Sequence, residues 1–246
     1  VASLVGSEMC IRDRLRGEAA TLQFFSSGQF SNPMVLRIAG LAYQKGFGGH
    51  FHNDNSLAIF RDIPGIILGV PSNGSSAVKM FRHALKLAYE EKRIVVFIEP
   101  IALYMTKDLH EKNDGQWSFN YPKHSEEITL GQTIRYGTSK VLTILSYGNG
   151  LYLSLRAKKE IEKKIDETIQ IIDLCWLSNI EINNLLKQIG NCSSVLIVDE
   201  CRKSGCYGEG LMVDLLKENK IGLKVDLHAA DNSFISLGEG STSTLP

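Results

Sequence analysis

Two histidines close a glycine-dense stretch, Gly46-Phe-Gly-Gly-His-Phe-His52. Glycine lets a backbone approach a ligand closely, because no Cβ stands in the way. Histidine is the side chain best suited to proton traffic near neutral pH. Together they point to a loop lying against a cofactor and presenting a proton donor to it, with Gly48, Gly49, His50, Phe51 and His52 as the candidate residues. A plainer role is also open to His52, which stands just ahead of a short helix expected over Ser56–Asp62 and would cap it. Asn53, Asp54 and Asn55 carry the same alternative, since Asn and Asp are favoured at helix starts.

Other chemistry-bearing residues are sparser. Cys201 and Cys206 invite a zinc or redox reading, but no second pair or nearby histidine completes a metal site, so reduced thiols are expected and no metal ligand is assigned. Tyr147-Gly-Asn-Gly150 follows a strand and opens a helix, a place where phosphate can be cradled, yet it lacks the dinucleotide fingerprint. Close packing is the alternative for that turn. Glu99-Pro100 is read as a structural strand end, and His83, His110 and His124 as surface positions.

The elements that must position these groups come in two series. In the first, Pro33–Ile38 and Gly65–Val70 are apolar runs, as parallel strands buried on both faces require. Ser75–Tyr89 carries Val78, Phe81, Leu85 and Ala88 at helical spacing, and Ile94–Ile98 is the next strand. Strand, helix, strand at this spacing is a βαβ unit. From Tyr104 to Thr133 the pattern fails and a long polar linker is expected. The second series has strands at 141–145, 170–174, 194–198 and 224–228, with helices at 147–167, 180–189 and 208–219.

Bulk properties bound the class. The chain has 246 residues, 43% hydrophobic and 22% charged, enough for a packed core. Lys plus Arg and Asp plus Glu are equal at 27 each, which gives no electrostatic case for nucleic acid or a membrane surface. No run approaches the roughly 18 apolar residues of a membrane span. Five cysteines without regular spacing point to a reducing, cytoplasmic setting rather than a disulfide framework. Residues 1–14 do not merge with the pattern that follows and are set apart as a non-native segment, and a chain cut at both ends is expected.

In motif order and spacing, the glycine loop, Ile63-Pro-Gly65, the Pro71-Ser72 strand end and Phe97-Ile-Glu-Pro100 resemble the beta subunit of thiamine-diphosphate-dependent 2-oxo acid dehydrogenases, within the transketolase-like enzymes. The resemblance covers about residues 15–246. It implies an α/β fold with two three-layer α/β/α domains: part of a pyrimidine-binding domain over 15–104, a linker over 105–138, and a transketolase C-terminal domain over 139–246. It implies that His52 works beside the thiamine thiazolium during acyl transfer to lipoamide. His50 is less fixed by the family pattern.

The same resemblance places the activating glutamate upstream of Leu15, and assigns the diphosphate and its magnesium to an alpha subunit or alpha-like half. It implies that Glu200 is structural and near a subunit interface. Ala88-Tyr-Glu-Glu-Lys-Arg93 departs from the family's potassium-ligand pattern, so that ion is not carried over. The implied partners are the alpha component, a lipoyl acyltransferase and a 2-oxo acid, in a hetero- or homo-oligomer without nucleic acid or membrane. Transketolase or deoxyxylulose-phosphate synthase chemistry is disfavoured, because those enzymes usually carry an acidic run where this chain has Gly48-Gly-His-Phe-His52. A scaffold that kept the fold without the chemistry remains a third reading.

Overall fold

The computed structural model describes residues 14–41, 57–218 and 222–233. A π-helical turn, Leu15–Ala19, runs into α1 (Ala20–Phe25) and then into strand β1 (Met34–Gly40). The short α2 (Ala58–Arg61) precedes β2 (Ile66–Gly69), α3 (Gly74–Tyr89) and β3 (Ile94–Pro100). These three strands form a parallel sheet in the order β1-β3-β2. The helix α3 starts sharply because Asn73 and Ser76 satisfy each other's backbone N–H groups in a capping box.

The second sheet has five strands in the order β4-β6-β5-β7-β8. They are β4 (Ile134–Tyr136), β5 (Leu142–Ser146), β6 (Ile169–Asp173), β7 (Ser194–Arg202) and β8 (Lys224–Ala230). Between them run α4 (Gly148–Ile165), α5 (Ile182–Ile189) and α6 (Tyr207–Glu218). All neighbours are parallel except β4, which pairs antiparallel with β6. The architecture is α/β, built on two mostly parallel sheets, as the alternation of apolar runs and amphipathic helices requires.

The two sheets share a core. Ile66, Leu68 and Val70 of the β2 segment and Ile94, Val96 and Ile98 of β3 lie in one apolar cluster with Leu145, Ile172, Val195 and Ile197 of the second sheet. Leu185 and Ile189 of α5 and Leu211 and Leu215 of α6 complete it. The opposite face of the first sheet, with Ile67, Val95 and Phe97, packs under Met80, Ala84 and Leu87 of α3. The opposite face of the second sheet, with Ile144, Ile169 and Ile171, packs under Leu151 and Leu155 of α4.

A latch also joins the sheets. After β6 the chain kinks at Cys175, whose φ is +55°, and Trp176 makes a single antiparallel bridge to Gly69. Leu177 N donates to Leu68 O and Val70 N to Cys175 O, both at 2.8 Å, and the Ser178 hydroxyl accepts from Leu68 N. The outer edge of β2 is therefore covered by a segment of the second half. Gly69 is required here, because a Cβ would stand 2.7 Å from the Trp176 ring.

Two differences from the sequence expectation concern 104–136. The strand β4 was not anticipated, since three residues with an arginine in the middle show no usable period. The expected polar linker is an ordered strap. Asp114 accepts from the backbone N–H groups of Leu109, His110, Glu111 and Gln116, and Asp108 from those of Asn113 and Gly115. Trp117 is buried against the second sheet, Ile128 is buried against the first, and Arg82 holds the carbonyls of Pro122, Lys123 and Glu126.

Candidate active-site region

The strands of the first sheet are parallel, so their C-terminal ends gather at one edge, where α/β folds bind ligands. That edge carries Leu41, Val70-Pro-Ser72 and Glu99-Pro100. The N-terminus of α4 meets it. Gly148 has φ +54°, and a Cβ there would lie 3.2 to 3.4 Å from Val70, Leu41 and Pro100. At Gly150 a Cβ would lie 2.6 Å from the Ser146 hydroxyl. Of the two roles open to Tyr147-Gly-Asn-Gly150, the geometry supports close packing between the halves. The same turn is tied to β7: Tyr147 donates to Asp199 Oδ1 and Asn149 to Glu200 Oε1, each at 2.7 Å.

Gly48, Gly49, His50, Phe51 and His52, with Asn53, Asp54 and Asn55, lie outside the described residues. Both ends of their segment are described. Leu41, at φ +49° and 1% exposed, closes one end against α4. At the other end Leu57, Phe60 and Ile63 are buried in the shared cluster. Arg61 donates from Nη1 to the Cys206 carbonyl at 2.7 Å, and its guanidinium lies over Gly210 of α6.

Sequence reasoning missed two polar arrangements near this edge. The first is buried between the halves. Asp173, at the end of β6, is fully enclosed; burial pushes its carboxyl up to about 7, partly offset by the Ser72 hydroxyl and the Cys175 N–H. Tyr136 and the thiol of Cys175 share its surroundings, and burial raises both. The second lines a cavity of about 690 Å³ beside α3, walled by Arg37, Phe81, Glu99, Tyr104, Trp117 and Phe119. Arg37 binds both Glu99 oxygens, at 2.5 and 3.1 Å, and Tyr104 donates to Glu99 at 2.6 Å. The Arg37 guanidinium holds Glu99 below the usual carboxylate range, while burial and Glu99 push Tyr104 up to about 12. The available signal was a lone arginine in the otherwise apolar Pro33–Ile38 run.

Cys201 and Cys206 are buried free thiols. Burial and Asp199 push both up, Cys206 to about 11, so they are poor nucleophiles. His83 corrects the expectation of a surface position. Its side chain is 14% exposed, packs edge-on against Trp176, and has Nδ1 3.6 Å from Glu127. Helix α3 and the strap enclose it together. His124 is exposed, as expected.

These residues do not by themselves fit a complete thiamine diphosphate site. The carboxylate nearest the sheet edge, Glu99, is saturated by Arg37 and Tyr104. The described residues contain no group of three or more His, Cys, Asp or Glu placed to hold a metal. No helix among the described residues is long and apolar enough to cross a membrane.

Comparison with known proteins gives this geometry its setting. Residues 131–228 match the transketolase C-terminal domain. The chain is 26% identical over 194 residues to the mitochondrial 2-oxoisovalerate dehydrogenase subunit beta of Dictyostelium discoideum, covering 78% of this chain and 48% of that protein. It is 23% identical over 241 residues to the pyruvate dehydrogenase E1 component subunit beta of Staphylococcus epidermidis, covering 95% and 67%. It is 30% identical over 184 residues to the corresponding subunit of Chlorokybus atmophyticus, covering 73% and 48%. The chain thus spans about half to two thirds of the length of these relatives. A solved structure described as a split gene transketolase, inactive beta4 tetramer, superposes with a TM-score of 0.59 at 18% identity, over 82% of this chain and 58% of that one, and shows the shared fold. Residues 131–228 thus carry a transketolase C-terminal domain, and the chain as a whole is similar to beta subunits of 2-oxo acid dehydrogenases, a likeness that supports a beta-subunit-like place among transketolase-like proteins.

Proposed function

We propose that the chain is the beta part of a decarboxylating 2-oxo acid dehydrogenase component, working with an alpha subunit or alpha-like half. The observation that carries this is the similarity, along most of the chain, to beta subunits of pyruvate and 2-oxoisovalerate dehydrogenases. The cofactor supplies carbanion chemistry when bound. The work assigned to this chain is to place Gly48, Gly49, His50 and Phe51 against the cofactor and to hold a proton on His52 during acyl transfer to a lipoyl group. The diphosphate and magnesium are assigned to the alpha component. Among the described residues the cysteines at 175, 192, 201 and 206 are free thiols, which favours a reducing compartment, in keeping with a cytoplasmic protein.

The test uses the complete enzyme with its alpha component and measures 2-oxo-acid-dependent acylation of a lipoyl domain. His52→Ala should lose turnover by about 10²–10⁴-fold, the range for a positioned acid–base group. Cofactor affinity should change much less. Ketol transfer in place of lipoyl acylation would favour the transketolase reading, and no turnover of either kind the scaffold reading. Near-normal turnover of His52→Ala would show the active-site loop to be wrongly aligned.

A further inference from the structure

We propose that the cavity beside α3 binds a planar aromatic carboxylate, with Arg37 receiving the carboxylate and the surrounding rings holding the aromatic body. The inference does not depend on the reading of His52.

The cavity has the size and place of a ligand site. Its volume of about 690 Å³ falls within the range of roughly 300–1,000 Å³ usual for small-molecule pockets. It lies at the C-terminal edge of the first sheet, where Pro71 to Gly74 follow β2 and where Glu99 and Pro100 end β3. The strap contributes Trp117, Phe119 and Tyr121 to its lining.

That lining favours flat rings. Phe81 meets Phe97 edge-on with centroids 5.5 Å apart, and Trp117 meets Phe119 at 5.3 Å, so these rings are held in place before a ligand arrives. Tyr104, Phe119 and Tyr121 are 56%, 42% and 76% exposed. Aromatic surface left open around a cavity is stabilised when another ring covers it.

The charges favour an anion. Arg37, Arg82 and Glu99 are the charged lining residues, two cations against one anion. Glu99 is already engaged, by Nε and Nη2 of Arg37 and by the Tyr104 hydroxyl. This pairing fixes the Arg37 guanidinium, which also lies 5.6 Å over the Phe81 ring, and it leaves Nη1 for a ligand. The Arg37 side chain is 62% exposed, so a ligand can reach it. A guanidinium already immobilised loses little freedom on binding, and a carboxylate matches its planar donors. Arg82 gives its donors to the carbonyls of Pro122, Lys123 and Glu126, which carry no charge, so its own adds to the attraction.

The experiment uses the full chain and titrates trans-cinnamate calorimetrically, beside its neutral counterpart cinnamamide and its saturated counterpart 3-cyclohexylpropanoate. Cinnamate should bind one-to-one with a Kd below about 1 mM, an ordinary yield per atom for a ligand of this size. Cinnamamide should bind about tenfold more weakly, for want of a charged hydrogen bond. 3-Cyclohexylpropanoate should bind about threefold more weakly, for want of ring-to-ring contact. In Trp176→Phe, cinnamate should quench the emission of Trp117, which lines the cavity. Arg37→Gln should bring cinnamate down to the affinity of cinnamamide, and Arg37→Lys should recover part of the loss. Gly74→Leu should abolish binding of all three by filling the cavity. Its Tm should stay level or rise, because a Cβ at 74 meets no atom within 4 Å and leucine suits a helix better than glycine. A loss of binding without a loss of Tm separates occupation of the cavity from damage to the fold. No saturable binding of cinnamate, equal affinity for either counterpart, no quenching of Trp117, or unchanged affinity in Arg37→Gln or Gly74→Leu would each overturn the proposal.

Discussion

Asp173 is the residue whose chemistry is most at odds with its place. It is an acid with no exposed surface, at the seam between two sheets, and its carboxyl titrates near 7 because burial disfavours the charged form. The sign of the pH effect follows. Between the usual carboxylate range and about 7 the folded state binds a proton that the unfolded state has released, so stability falls as pH rises through this window. The contribution is present in full at acid pH and lost above about 7. Asp173→Asn should flatten that part of the profile and, near pH 8, stabilise the protein by an amount on the order of a few kcal/mol. Urea midpoints at pH 5 and 8 for both proteins would check it; a parallel shift at the two pH values would show that Asp173 does not titrate there. Nothing in the sequence marked this residue, because one aspartate at a strand end is ordinary until its neighbours are known. The histidines divide in the same way. His124 was legible as exposed from its polar surroundings, whereas His83 is largely buried because the strap and Trp176 fold over it.

Among the elements, those with a clear period were legible. Helix α3 and strands β2, β3 and β5 fall within a residue or two of where apolar spacing put them. The strap over 104–133 was not, because the buried residues that anchor it to the two cores, Trp117 and Ile128, are isolated and their partners lie far away in sequence. The turn after β6 was opaque for the same reason. Trp176 looks like one apolar residue in a loop, yet it is fully buried, sits on Gly69 and donates from Nε1 to the Ile128 carbonyl at 3.0 Å. Trp176→Ala should cost about 3–5 kcal/mol, the usual range for emptying a large aromatic site. Asn73→Ala should cost about 1 kcal/mol through loss of the α3 cap. Chemical denaturation of each variant checks both values. Equal losses would mean that the Trp176 site collapses rather than leaving a cavity.

At the scale of the whole molecule, two series of elements were read from the sequence as two units, and two sheets are present. What the pattern did not disclose is how much apolar surface the sheets share, since periodicity gives a strand's faces but not what lies against them. Surface left uncovered matters too. Phe24, Phe25 and Phe30 are 80%, 78% and 62% exposed, and apolar surface of this kind favours association. Sedimentation of the isolated chain should therefore depend on concentration. Titration with thiamine diphosphate and magnesium should show weak or no binding, because the proposed function assigns the diphosphate and magnesium to the alpha component; tight one-to-one binding would contradict this.

The shared core also predicts how the protein unfolds. Residues of both sheets belong to one continuous cluster, and the Trp176 latch covers the edge of β2, so neither sheet keeps its inner face buried if the other opens. Cooperativity follows from such mutual dependence. The chain offers its own reporters, since it has two tryptophans: Trp117 sits in the cluster beneath α4 on the second sheet, and Trp176 in the cluster beneath α3 on the first. Trp117→Phe leaves a fluorophore that watches the first sheet, and Trp176→Phe one that watches the second. In each variant, urea unfolding followed by fluorescence should coincide with unfolding followed by far-UV circular dichroism. Both variants should give one transition, with midpoints differing only by the stability lost to the substitution. If fluorescence in either variant moves apart from circular dichroism, the halves unfold separately and the shared cluster does not couple them. Breaking the latch with Trp176→Ala is the step expected to weaken that coupling, broadening or splitting a transition that is single in the wild-type chain.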